Sequence, residues 1–264
     1  MKKSLKVLRI VLLVIVIAVV AAVIIINLFA DRAVKIGIET AASKTLNVGV
    51  NIDDVDLSVM GGSLALQNLI IKNPPGYQHD KLLDLRNAKI EVNVMSLLND
   101  VVNIKEIKLD GMEVTIEQRG ISGNNLQDVI AAIPKSQKTK GEPSGKKLHI
   151  DNLEISDITV NVKLLPVPGK ADTVTLELSP IKMTDLGSDN KLDTAELAGK
   201  ILLAIATGVA EQGVGVLPKN MVDTMQSTLD KTIDLGKATS EKGQELMDTG
   251  KKLFEGLLKP KKKE

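Results

Sequence analysis

The chain has no cysteine and no tryptophan, and its aromatic residues are Phe29, Tyr77 and Phe254. Without cysteine there are no disulfides, no thiolate metal ligands and no cysteine nucleophile. With so few aromatics, an aromatic cage, a sugar-stacking platform and a base-stacking platform are all disfavoured. The net charge is +1, so no global basic field draws nucleic acid. Histidine occurs twice, at His79 and His149. Neither has an acidic partner at ligand spacing in the sequence, and both are expected on the surface. Asp53, Asp54 and Asp56 lack the glycine and the terminal glutamate of a calcium loop. "SGNNLQ" has glycine and amides but no GK[ST] or GxGxxG, so it is expected to be a turn and not a phosphate cradle. No metal, cofactor or catalytic residue is expected, and an enzyme is disfavoured.

What the chain does have begins at its amino end. Lys2, Lys3, Lys6 and Arg9 precede an unbroken apolar run from Ile10 to Ile26, which continues past Asn27 to Ala30. As a helix that run is roughly 31 Å long, against a hydrocarbon core of about 30 Å. A cleaved signal peptide has a shorter apolar core and a small-x-small site. Here Leu28 stands where a small residue is needed. The run is expected to be an uncleaved anchor. Its basic amino flank places that end in the cytoplasm and the rest of the chain outside. In a bacterium with two membranes the chain is a single-pass inner-membrane protein with its bulk in the periplasm.

Four regions follow from the patterning. Residues 1–30 are the basic flank and anchor. Residues 31–46 read as a helix with Val34, Ile38, Ala41, Ala42 and Leu46 near one face and Asp31 as a candidate cap. Residues 47–190 read as strands, with a polar loop at 134–147. Residues 191–264 read as helical, beginning with "TAELAGKILLAIATGVAEQ", broken by Pro218, and ending in a basic tail. In that tail Lys251, Lys252, Phe254 and Lys261 are candidate membrane-surface contacts, by pairing charge with apolar bulk.

The strand region repeats itself. "VNIKEIKLDGMEVTIEQR" at 102–119 looks like two short strands with a turn at Asp110-Gly111. "LHIDNLEISDITVNVKLL" at 148–165 carries the same apolar pattern 46 positions later, Ile104 matching Ile150 and Val114 matching Val160. A step of three followed by a step of two also recurs, at Ile52/Val55/Leu57, Leu85/Ala88/Ile90, Ile104/Ile107/Leu109, Ile150/Leu153/Ile155 and Leu178/Ile181/Met183. Leu66/Leu69/Ile71 is a looser copy, with Ile70 at a polar place. Neither a helix nor a plain strand has that spacing. A β-bulge, which shifts a strand's phase by one residue, would produce it. The plainest reading is an antiparallel sheet with one buried face. That face must be covered by a second sheet, by the carboxy-terminal helices or by lipid.

Several stretches together resemble the AsmA-like family of bacterial envelope proteins. They are the basic residues, anchor and short helix, then "VNIDDVDLSVMGGSLALQNLIIKNPPGY", "LRNAKIEVNVMSLL", "VVNIKEIKLDGMEVTIEQ" and "GISGNNLQDVI". The resemblance spans roughly residues 5–130, and the strands of 148–187 continue it. It implies a mainly β fold with some α: a transmembrane helix, a bent antiparallel sheet forming an AsmA-like or taco-like groove, and carboxy-terminal helices. It also implies a relation to repeating β-groove lipid-transfer proteins, with roles in phospholipid traffic or outer-membrane assembly. No catalytic residue is implied. On this reading the lipid-groove candidates are Ile90, Val92, Val94, Val114, Ile116, Val160, Val162 and Leu176. The partners are membrane lipids, phospholipid first, and other envelope proteins, with no nucleic acid. With about 8–10 strands side by side the sheet would extend roughly 40–50 Å, too short to cross a periplasm unaided. The alternative is an envelope scaffold whose apolar face is filled internally and which binds proteins through sheet edges or helices.

Overall fold

The computed structural model describes residues 30–120, 123–133, 146–164, 173–188, 192–219 and 222–223. The anchor proper, most of the polar loop and the basic tail, including Lys251, Lys252, Phe254 and Lys261, lie outside the described residues.

Helix α1 (residues 30–46) leads into β1 (Val50–Ser58), β2 (Ser63–Lys72) and β3 (Lys81–Val92). A 3-10 turn, η1 (Val94–Leu98), precedes the long strand β4 (Val101–Arg119). The two-residue β5 (Gly123–Asn124) and helix α2 (Asn125–Ala132) connect it to β6 (Lys147–Lys163). Then come β7 (Thr173–Leu178), β8 (Ile181–Leu186) and helix α3 (Thr194–Gln212). The last helix coincides with the expected "TAELAGKILLAIATGVAEQ" segment. Asp193 caps it in a reciprocal box with Glu196, each side chain accepting from the other's backbone N–H at 2.9 Å.

The sheet runs β1-β2-β3-β4-β6-β7, with β8 also on β6. Three expectations are corrected here. The stretch 102–119 is one strand, not a hairpin. It has neighbours on both sides, so a reversal at Asp110-Gly111 would forfeit two ladders of hydrogen bonds. The sheet is mixed, not antiparallel: β4 and β6 pair in parallel, with Ile104 opposite Ile150 and Val162 opposite Ile116. The 46-residue repeat is therefore a register, the two copies lying side by side. β7 and β8 continue a single register on β6, interrupted at Ser179-Pro180. Proline cannot donate to the ladder, so the strand breaks there. The sheet is six strands wide, about 24 Å between its outer strands, half the expected extent.

The first edge is closed by α1, which lies antiparallel to β1 and caps its unpaired amides. Val50, Ile52 and Leu57 N–H donate to Ser43 Oγ, Glu39 Oε1 and Asp31 Oδ1 at 2.8, 2.8 and 3.0 Å. Lys35 Nζ donates to the Asp53 carbonyl at 3.0 Å. These contacts remove a template for aggregation. Asp31 thus lies within its helix and serves the sheet edge, not the cap role expected of it.

Candidate functional site: the aliphatic face of the sheet

Register converts the apolar pattern into rows that cross all the strands. One row is Val50–Ile71–Leu83–Val114–Val160–Leu176, and the next is Ile52–Leu69–Leu85–Met112–Ile158–Leu178. A third is Val55–Leu66–Ala88–Leu109–Ile155–Ile181, and a fourth Leu57–Leu64–Ile90–Ile107–Leu153–Met183. None of the four contains a charged or aromatic residue. The step of three falls between the second and third rows in every strand: 52 to 55, 66 to 69, 85 to 88, 109 to 112, 155 to 158, and 178 to 181.

This alignment corrects the bulge expectation at the crease, while the Ile104/Ile107 step does coincide with a bulge, where β4 carries one more residue than β3 between Glu91 and Val92. A bulge adds a residue to one strand and breaks its match with the partner. Here every strand carries the additional residue at the same level, so the register survives and the sheet acquires a crease. Asn68, Gly111 and Asp157 take positive φ at that level, +50°, +71° and +50°. The additional residues face the polar side and bond along the crease. Asn68 Nδ2 donates to Asp53 Oδ2 at 3.0 Å, and Ser156 Oγ donates to Asp110 Oδ1 at 2.7 Å. Arg86 reaches Asp157 at 3.4 Å, passing over Gly111, where a Cβ would stand 2.9 Å from the guanidinium.

Seven of the eight groove candidates lie on the apolar side of the sheet, at two depths, and Val94 lies beyond it in η1. Val114, Ile116, Val160, Val162 and Leu176 are buried. Ile90, Val92 and Val94 are half-buried. Two helices pack against the core near the buried set. α2 contributes Leu126 and Val129, both buried, and α3 contributes Leu202, Ile205, Ala206 and Val209. Gly208 lets α3 approach β7: a Cβ there would stand 3.0 Å from Leu178.

Sequence reasoning missed a polar clamp at the other end of the sheet, where β4 ends. Asn125 is completely buried. Its Nδ2 donates to Asn73 Oδ1 and to the Thr115 carbonyl, both at 2.7 Å, and its Oδ1 accepts from Glu117 N–H at 2.9 Å. Glu117 in turn accepts from the backbone N–H of Gln78 and His79 and pairs with His79 Nδ1 at 2.9 Å. Burial raises the Glu117 carboxyl, but those donors outweigh it and hold the group below the ordinary carboxylate range. Tyr77 donates to Asp128 at 2.7 Å beneath Arg119, and its phenol is pushed up, by burial first and then by Asp128. His79 therefore has the acidic partner that its sequence neighbourhood lacks, brought from 38 positions away. His149 lies 3.2 Å from Asp151, two positions along the same strand, so the acidic partner not expected for it is a sequence neighbour. The "NPPGY" stretch is locked here to residues 123–128, which form β5 and the start of α2 and not the turn expected of them. Among the described residues no group of three or more His, Asp or Glu side chains is placed to hold a metal ion.

A creased sheet in a mainly β fold with a few helices is in keeping with the resemblance, although the sheet is mixed where the resemblance implies an antiparallel one. The profile of the AsmA family matches residues 1–202. The chain belongs to the AsmA family. The AsmA match runs past β8 into α3, further than the quoted motifs reach. No curated protein and no solved structure matches the chain. AsmA membership points to an envelope-related function.

Proposed function

We propose that this AsmA protein is a non-enzymatic, inner-membrane-anchored periplasmic protein that handles phospholipid, or assists outer-membrane assembly, by laying acyl chains on its aliphatic face. The observation that carries this reading is the set of four uncharged rows, each six strands wide. Such a surface suits flexible hydrocarbon, held at roughly 25 cal/mol per Å² of apolar area without a charged clamp. The half-buried residues Ile90, Val92 and Val94 form its accessible part, and the buried set beneath the helices forms its floor. Among the described residues no helix is long and apolar enough to cross a membrane. The anchor in this reading is residues 10–30, whose composition supports it.

A second reading has its own support. Val160 and Val162 have no exposed surface and Val114 has 1%, as expected of a scaffold whose core is filled from within. Phospholipid bound to the purified full chain separates the two readings. It is measured by mass spectrometry against an Ile90→Asp/Val92→Asp variant, which retains the anchor and its surrounding lipid. A loss of bound phospholipid in the variant supports the groove. Equal lipid in both favours the scaffold.

A further inference from the structure

Eight large apolar side chains stand exposed among the described residues, and five of them gather at one end of the sheet. They are Val59 and Met60 in the β1–β2 turn and Met95, Leu97 and Leu98 in η1. Met60 is 100% exposed and Leu98 82%. The two segments adjoin. Val92 N–H donates to the Gly62 carbonyl at 2.7 Å, and a Cβ on Gly62 would meet the Val94 side chain at 2.8 Å. Polar groups rim the patch: Lys146 Nζ donates to the Leu97 and Asn99 carbonyls at 2.5 and 3.0 Å. A clustered aliphatic patch on a protein this rich in solvated charge marks a contact surface.

Its position says which surface. The apolar run ends at Ala30, where α1 begins, and Asp31 Oδ1 accepts from Leu57 N–H at 3.0 Å. Val59 lies two residues beyond, about 7 Å along the strand. The exposed patch therefore sits where the chain would emerge from the bilayer, and the buried clamp of Asn125 sits at the opposite end. We infer that this end of the sheet, through Met60, Met95 and Leu98, is seated in the outer leaflet of the same membrane that carries the anchor. The half-buried Ile90, Val92 and Val94 then open beside the acyl chains. The inference rests on the anchor reading.

The absence of cysteine allows single labels to be introduced one at a time. Full-length protein in phosphatidylethanolamine–phosphatidylglycerol vesicles carries a nitroxide at Met60→Cys, Leu98→Cys, Asp80→Cys at the far end, or Ile15→Cys in the apolar run. Accessibility to oxygen and to a water-soluble nickel chelate reports depth. Met60 and Leu98 are exposed, so circular dichroism should be unchanged in both. The expected result is oxygen-dominated quenching at Ile15, Met60 and Leu98, and chelate-dominated quenching at Asp80. Lipid exposure at Ile15 with water exposure at Met60 and Leu98 overturns the docking inference and leaves the anchor standing. Water exposure at Ile15 overturns the anchor reading itself.

Discussion

Val114 of β4 stands directly opposite Val160 of β6, in parallel register and 46 residues apart, and both are buried. A charge at either position would enter the core without a partner. Val114→Asp or Val160→Asp should destabilise the domain by more than about 4 kcal/mol, read as loss of the cooperative thermal transition. A variant that stays folded would show that the helices lift readily from this part of the sheet.

Gly111 serves the crease through its backbone and through the room it leaves. Gly111→Ala puts a side chain at φ +71° against Arg86. It should cost about 1–3 kcal/mol by denaturant midpoint. Arg86→Ala removes only an exposed pair with Asp157, about 0–1 kcal/mol. The double variant should recover part of the Gly111→Ala loss, because the guanidinium is gone while the position-86 Cβ at 3.0 Å and the φ strain remain.

The far clamp depends on one buried amide. Asn125→Ala leaves the Glu117 N–H, the Thr115 carbonyl and Asn73 Oδ1 without this partner. At about 1–3 kcal/mol for a stranded buried group, this should rank among the most destabilising single changes outside the aliphatic rows. Asn125→Asp should not rescue it, since a carboxylate cannot donate to the Thr115 carbonyl.

Glu117 gives the clamp a pH dependence of definite sign. Its folded carboxyl titrates below the ordinary 4.5. Its contribution is therefore fully present above that value and is lost as pH falls through the depressed one. Wild type should lose stability more steeply than Glu117→Gln between pH 6 and 3, by denaturant midpoint.

Particular residues show what the sequence made legible. The 46-residue offset of Ile104 and Ile150 held the parallel pairing, since a constant offset aligns neighbours only when they run the same way. The pattern left unstated that the copies touch. Asp110-Gly111 looked like a turn because its residue types fit one; tertiary pairing on both sides kept the strand going and used the positive φ for the crease. Repeated three-residue steps showed the phase shift, yet its alignment across strands needed the register. Asn125 and Glu117 carried no local signal, because their partners Asn73 and His79 arrive from another loop. The half-burial of Ile90 and full burial of Val162 were equally illegible, since the covering helices follow from packing and not from strand pattern.

The central claim is that the aliphatic face meets lipid, and neighbouring residues on β3 test it most directly. Ile90 faces the apolar side, and Lys89 faces the polar side in an ion pair with Glu91. A photoreactive side chain at each position, in the full chain in native membranes, can be activated and its adducts weighed by mass spectrometry. A phospholipid adduct at Ile90 and none at Lys89 is the predicted result. Crosslinks from Ile90 only to the protein's own chain, with no more lipid than at Lys89, would contradict the account.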